Sequence, residues 1–363
     1  MKKITFLFIL NMFTLLGQTP SSITIGGVSR SYIYYTPSSW NPSQNVPLLI
    51  VLHGLTQTGA GLMDITQFNQ IAEQNGFIVA YPDGENFAWN ANMNLTVSSA
   101  DDMGFIEALA QEFQNNFGTD PLRQYLVGFS NGGFMSHRLA CESSMCFAAI
   151  ATVSGNMSDT TFLNCQPQFQ PAVMHIHGTS DLVVPYNGGS STGVSVDQCI
   201  EKWRTVLNCD PIPNTVNMPN TNLFDFSTPQ RFSYINGSNA LELIKIEGGG
   251  HQWPGIQTLV GGAGIINMDF YSPDVIWEFL NGKSCPSNAI DEMELKVKVY
   301  PNPSNGDVKI SNGIPVNYSI FNIHGKVVMT GQTNEKIDIE HFDCGVYYIQ
   351  IDDAKPIKLI KTK

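Results

Sequence analysis

The sequence predicts an α/β unit, built on a mostly parallel sheet flanked by helices, followed by a small all-β sandwich. Three observations predict it. Short, continuously apolar runs alternate with helical patterns as far as about residue 285. Runs without polar alternation suit strands buried on both faces, and strands alternating with helices are the mark of α/β architecture. Beyond residue 295 the apolar residues recur with period two between turn signals, as in a sheet with one face buried. The chain has 363 residues and is 42% hydrophobic, enough to bury more than one large core, which excludes disorder as the main state.

The chain opens MKKITFLFILNMFTLLGQTPSS. Lys2 and Lys3 precede a 13-residue apolar run, Ile4 to Leu16, and Gly17, Gln18 and Thr19 follow it. A bilayer span needs ~20 apolar residues. Residues 1–18 therefore read as a cleaved signal peptide rather than a transmembrane helix or a buried first helix. No later run is long and apolar enough to span, so the mature chain is expected to have no transmembrane segment.

The runs at 47–52, 77–81, 124–129, 147–153, 172–176 and 241–246 are the expected strands of the first unit. In 102–117, Ile106, Leu109, Ala110, Phe113 and Phe117 recur on one helical face. Asp101 and Asp102 suit the positive end of that helix, and Gly118 suits its stop. Residues 131–140, 196–207 and 273–281 are further expected helices. PSNAIDEMEL, residues 286–295, reads as a linker. KVKVY, DVKI, NYSIFNI, KVVMTG, KIDIE, GVYYIQI and KPIKLIK are the expected strands of the sandwich, which spans 296–363.

The net charge is −12, and it is uneven: 8 basic against 21 acidic residues from Thr19 to Ile290, and 9 against 10 from Asp291 onward. A body this acidic repels phosphate backbones, which excludes nucleic acid as a partner. Seven cysteines stand at 141, 146, 165, 199, 209, 285 and 344. Export permits disulfides, and an odd count leaves at least one thiol unpaired, for which the isolated Cys344 is the expected residue. Spacing leaves the connectivity open. No C-x-x-C pair or Cys/His cluster suggests a metal site.

Gly128-Phe129-Ser130-Asn131-Gly132 follows an expected strand and opens an expected helix. A serine on such a tight strand-to-helix turn exposes its hydroxyl above the sheet edge. The glycines relieve the clash of flanking side chains, and the helix N-terminus aims N–H groups at a developing oxyanion. A serine nucleophile needs a base, and the base needs an orienting acid. Asp181 follows the strand AVMHI, and His251 follows LELIKI. Both fall where loops leave the C-terminal strand ends, the edge that carries Ser130. Ser130 is thus the expected nucleophile, His251 the base and then acid, and Asp181 the orienter. The backbone N–H of Asn131 is one expected oxyanion donor. Leu55, after the HG of VLHG, is the other, with Thr56 as fallback. His53 is expected to pin its loop, His175 and His137 to pack, and His177 to hold the Asp181 loop. The chemistry needs no metal or organic cofactor.

VLHGLTQTG, YPDGENFAWN, DDMGFIEAL, DPLRQYLVGFSNGGFMSHRLAC, FAAIATVSG, HGTSDLVVPYNGG and GGGHQWPG together resemble the extracellular polyhydroxybutyrate depolymerase and feruloyl esterase family, from about Ser22 to Cys285. The resemblance implies an α/β-hydrolase fold and a secreted carboxylesterase, with the triad on Ser130, Asp181 and His251. Many relatives carry Cys at the position of Leu55. KVKVYPNPSNGDVKI, IFNIHGKVV and GVYYIQI with the basic end PIKLIKTK resemble the C-terminal sorting domain of type IX secretion. That implies passage through the outer membrane by the type IX machinery, then release or surface attachment, commonly with cleavage of the domain.

The expected substrate is a polymer-linked ester, either plant-wall feruloyl or acetyl groups or a polyhydroxyalkanoate. Trp89, Tyr186 and Trp253 are the candidate substrate-binding residues, since each lies beside a proposed active-site loop. The glycine-rich stretch 254–266 reads as a flap or a connection. The alternatives are a serine peptidase of the same fold and a non-catalytic surface binding protein.

Overall fold

A computed structural model describes residues 18–94, 97–257, 263–286, 299–323, 325–333, 336–351 and 357–363, apart from 311–315. The expected signal peptide, but for Gln18, and nearly all of the expected linker lie outside the described residues. The chain divides into two compact units between Cys285 and Pro286.

In the first unit the strands are β1 (Gln18–Ile25), β2 (Val28–Tyr35), β3 (Val46–Leu52), β4 (Ile78–Pro82), β5 (Thr119–Phe129), β6 (Ala149–Val153), β7 (Ala172–Gly178), β8 (Asn214–Asn217), β9 (Thr228–Tyr234) and β10 (Leu241–Glu247). The helices are α1 (Gly59–Thr66), α2 (Phe68–Asn75), α3 (Asp102–Phe117), α4 (Asn131–Glu142), α5 (Asp159–Asn164), α6 (Val196–Leu207) and α7 (Ser272–Leu280). They form one ten-stranded sheet in the order β1-β2-β4-β3-β5-β6-β7-β10-β9-β8. Six central strands, β4 to β10 in that order, run parallel. The apolar runs become these six strands because both of their faces are covered. On β3, Leu48, Ile50 and Leu52 pack under α3 and α4, while Leu49 and Val51 pack under α1 and α2. Each such fully buried side chain stabilises the fold by ~1.5–3 kcal/mol relative to exposure.

Four antiparallel edge strands were not in the sequence pattern. β1 and β2 form a hairpin closed at Gly26-Gly27, both with positive φ, as a two-residue turn of this hand requires. β9 and β8 extend the other edge, and all four residues of β8 are exposed. Helix α3 has its expected limits. Asp101 caps it by accepting the Gly104 N–H at 2.9 Å, and Gly118 closes it at φ 64°. Asp102 instead turns inward: buried, it pairs with Arg30 and accepts the Asn90 N–H.

Disulfides join Cys141 to Cys165 and Cys146 to Cys285. Cys344 is free as expected, and so are the buried Cys199 and Cys209.

The second unit holds β11 (Val299–Tyr300), β12 (Asp307–Ile310), β13 (Val316–Asn322), β14 (Val327–Thr333), β15 (Lys336–Asp338), β16 (Gly345–Ile351) and β17 (Ile357–Lys361). They make two sheets, β11-β12-β15 and β14-β13-β16-β17. One core of Val308, Ile320, Ile337, Ile349 and Leu359, among others, draws on strands of both. Each of the seven alternating runs supplies one strand.

Candidate active site

Ser130 is the single residue between β5 and α4. Its backbone sits at φ 51°, ψ −119°, a region costly for a non-glycine residue. Its N–H donates to Val153 O at 2.9 Å, which ties the turn to β6. The flanking glycines are needed for close approach. A Cβ at Gly128 would lie 2.1 Å from Gly132 O, and one at Gly132 would lie 2.2 Å from Leu52 O. A Cβ at Gly155 would lie 2.4 Å from Ser130 O. Backbone therefore encloses the turn on several sides and holds it in its strained form.

Asn131 is the first residue of α4, where backbone N–H groups have no intrahelical partner. Its side chain accepts from Trp89 N–H at 2.7 Å and donates to Trp89 O at 3.1 Å. The loop before α1 is fixed by His53. His53 accepts from Gly84 N–H at 2.9 Å on Nε2 and donates from Nδ1 to Gly54 O at 2.7 Å. Burial pushes the His53 pKa down, in keeping with a neutral pinning role. Thr56 N–H already donates to Phe87 O, which removes it as a fallback oxyanion donor. Leu55 lines the cleft beside Ser130.

Asp181 and His251 meet below the same edge. His251 Nδ1 donates to Asp181 Oδ2 at 2.8 Å. The other oxygen, Oδ1, accepts from Val183 N–H at 2.9 Å and Val184 N–H at 2.8 Å. His177 Nε2 lies 3.4 Å from Oδ2. Burial pushes the Asp181 pKa up, but hydrogen bonds from His177 and His251 outweigh it and hold the carboxyl well below its usual range. The His251 backbone N–H donates to Ala263 O, so the chain just beyond 258–262 runs alongside the histidine. The proposed flap lies partly outside the described residues.

Ser130, His251, Asn131 and Leu55 all line one cavity of about 340 Å³. Its apolar wall comes from Met93, Val97, Phe134 and Val184. The three aromatic residues expected to bind substrate do not line it. Trp89 is fully buried, with its indole N–H donating to His53 O at 2.8 Å. Tyr186 is buried and donates to Asp197 Oδ1 at 3.0 Å. Trp253 is buried against Phe129, with ring centroids 5.8 Å apart. Their loops are near the site, but large rings gain most by burial, and these turn into the core beneath it. The apolar residues that line the cavity are not among the expected ones. Phe134 lies one helical turn beyond Ser130, so helix geometry alone would have found it. Met93 and Val97 stand in a polar loop with no periodic signal.

Behind the site, the donor atoms of His137, His175 and Cys199 lie within 4.8 Å of one another, all buried. These residues are far apart in sequence, and β7, α4 and α6 bring them together.

Residues 40–207 match the phospholipase/carboxylesterase family, and residues 298–362 match the secretion-system C-terminal sorting domain. Feruloyl esterase B of Piromyces equi is 28% identical over 236 residues, covering 61% of this chain and 42% of that protein. The bifunctional acetylxylan esterase/xylanase XynS20E of Neocallimastix patriciarum is 26% identical over 234 residues, covering 62% of this chain and 31% of that protein. The chain thus spans less than half the length of either relative. Among solved structures, an acetyl xylan esterase from Aspergillus awamori superposes with a TM-score of 0.51 at 17% identity, over 72% of this chain and 98% of that one, a likeness of fold. The sorting domain marks the chain for export by type IX secretion, to release or to surface attachment. Among the described residues no helix is long and apolar enough to cross a membrane. Family match, sheet order and superposition together give the first unit the α/β-hydrolase fold, with residues 40–207 similar to the phospholipase/carboxylesterase family.

Proposed function

We propose that the protein hydrolyses hydroxycinnamoyl esters carried on plant-wall polysaccharide, with Ser130 as nucleophile, His251 as general base and acid, and Asp181 as orienter. The observation that carries the reading is the 2.8 Å contact between His251 Nδ1 and Asp181, at a cavity lined by both His251 and the strained Ser130. With Nδ1–H held by the carboxylate, the lone pair of His251 is on Nε2, where it takes the Ser130 proton as Oγ attacks the ester carbonyl. The N–H groups of Leu55 and Asn131 hold the oxyanion, each worth ~10²–10³ in turnover. The alcohol leaves with the proton returned by His251, and water, deprotonated by the same nitrogen, releases the acid.

The cavity supports an aromatic acyl group. At about 340 Å³, with walls of Met93, Val97 and Phe134, it is far larger than an acetyl group requires. The relatives' printed names, which include a feruloyl esterase and an acetylxylan esterase, support ester-linked polysaccharide as the substrate class. The same reading keeps 1–18 as signal peptide, 19–285 as hydrolase, 286–295 as linker and 296–363 as sorting domain. The division after Cys285 and the match over 298–362 support these limits.

The test is turnover of methyl ferulate and of 4-nitrophenyl acetate by the wild type and by Ser130→Ala. The reading expects both substrates to be cleaved, methyl ferulate with the lower KM, and turnover to fall to background in the variant. Cleavage of the acetate alone would sink the hydroxycinnamoyl assignment. Equal turnover in wild type and variant would sink the nucleophile.

A further inference from the structure

A buried chain of hydrogen bonds runs along one face of the sheet from Trp203 to Asp181, and for neutral rings its chemistry permits one direction only. Trp203 Nε1 on α6 lies 3.1 Å from His137 Nδ1. Indole N–H can only donate, so His137 Nδ1 accepts and its proton sits on Nε2. That nitrogen faces Thr152 Oγ1 at 3.4 Å and Cys199 Sγ at 3.6 Å. Thr152 Oγ1 lies 2.7 Å from His175 Nδ1, and the parallel register of β6 and β7 places these two residues side by side. His175 Nε2 lies 3.1 Å from His177 Nδ1. At the other end His177 Nε2 lies 2.8 Å from Val184 O and 3.4 Å from Asp181 Oδ2, which can only accept. With each ring neutral, a donor at the head and acceptors at the tail fix every ring between them. Indole donates to His137, His137 to Thr152, Thr152 to His175, His175 to His177, and His177 to Val184 O and Asp181. All three neutral imidazoles then carry the proton on Nε2. The rings are buried, and those of His175 and His177 stack at 5.2 Å.

We infer that His177 is a positioning residue for the proposed hydrolysis, its Nε2–H held between Val184 O and Asp181 by a one-way relay that begins at Trp203. The inference rests on the reading of Asp181 and His251 given above. The relay gives Oδ2 a second donor anchored in the core, so the carboxylate stays ionised and keeps its remaining lone pair on His251. It also excludes the other use of this cluster. A metal on His137, His175 and Cys199 needs the Nε2 lone pair of His137, and hence a proton on Nδ1, where the Trp203 N–H already points.

The direct test is the tautomeric state. In full-length protein labelled with ¹⁵N-histidine, long-range ¹H–¹⁵N correlation reads which nitrogen carries the proton. The expected result at pH 7 is Nε2–H and no charge on His137, His175 and His177. Nδ1–H on His137, the tautomer that a metal at the cluster requires, overturns the relay, as does an imidazolium at any of the three. The kinetic test compares His177→Gln with His177→Leu. Gln keeps one donor for Asp181 and one acceptor for His175, whereas Leu keeps the bulk and neither. The relay expects kcat at least tenfold lower for the Leu variant than for the Gln variant, with KM within twofold of wild type in both. Equal kcat in the two variants would reduce His177 to packing. A failure of wild-type esterase turnover would refute the proposed function, and the tautomers would still decide the relay.

Discussion

Replacing Asp181 with Asn changes one atom and leaves the amide no good orientation. Oδ2 accepts from His251 Nδ1 and faces His177 Nε2, while Oδ1 accepts from the Val183 and Val184 N–H groups. With the amide nitrogen at the Oδ2 position, its N–H meets two imidazole N–H groups. His251 must then move its proton to Nε2, the nitrogen that has to receive the Ser130 proton. With the amide flipped, His251 keeps its tautomer, but the Val183 and Val184 N–H groups face another donor. Orphaning two buried N–H groups costs ~2–6 kcal/mol at ~1–3 each. That cost is the barrier to recovering a competent base. At ~1.4 kcal/mol per factor of ten it corresponds to a loss of ~30-fold to ~10⁴-fold in kcat. Asp181 does not line the cavity, so KM should stay within about threefold. The assay is steady-state turnover of methyl ferulate, with a thermal melt of each protein to show that the fold survives. A fully folded variant that retains more than a third of wild-type kcat would refute both the proton assignment of His251 and the role of Asp181.

Three further outcomes follow from the same geometry. Gly128→Ala puts a Cβ 2.1 Å from the Gly132 carbonyl, a backbone atom in the first turn of α4. It should destabilise the protein by ~3 kcal/mol or more, the top of the overpacking range, and urea unfolding that finds under 1 kcal/mol would show that the elbow yields. Thr192 lines the cavity with a buried hydroxyl that has no partner among the described residues. If substrate supplies that partner, Thr192→Val raises KM for methyl ferulate by ~2–10-fold with kcat unchanged, from the ~0.5–1.5 kcal/mol of one hydrogen bond; an unchanged KM would exclude the contact. The third concerns acid. Burial lowers the pKa of His137 to about 3 and that of His175 well below its usual value. Below the unfolded value near 6.5 the unfolded chain binds more protons. Stability should then be fully present above pH ~6.5 and fall as the pH drops toward the folded values, by up to ~1.4 kcal/mol per pH unit for each histidine. Equal urea midpoints at pH 7 and pH 5 would contradict buried neutral rings.

What could be read from the chain follows from how much each residue is constrained locally. The six central strands were legible because burial on both faces leaves continuous apolar runs, and the seven tail strands because burial on one face leaves alternation. β8 and β9 sit at an edge with most side chains outside the core, so they leave neither pattern. β1 and β2 carry a Gly-Gly turn between weakly alternating polar runs, and their place in the sheet comes from pairing with β4. At the site, Ser130 is legible from its G-x-S-x-G turn and Asp181 and His251 from their places beyond strand ends, and the structure brings the last two into contact. Trp89, Tyr186 and Trp253 stand off the cavity, because proximity in sequence says which loop a ring is on and nothing about which way it turns. His175 and His177 were read as core and loop support. Their link to Thr152, His137 and Trp203 depends on strand register and on a helix from far along the chain, neither of which a linear pattern carries.

The bond between Cys146 and Cys285 secures the end of the first unit. It fastens the last residue of the hydrolase unit to the segment after α4, and Cys285 N–H also donates to Leu122 O. A protease that cuts anywhere beyond Cys285 leaves a new terminus already clasped to the sheet, with no loose thread from which fraying can start. Loss of the second unit and integrity of the first are thereby separated, and the first keeps its end sealed wherever a cut falls.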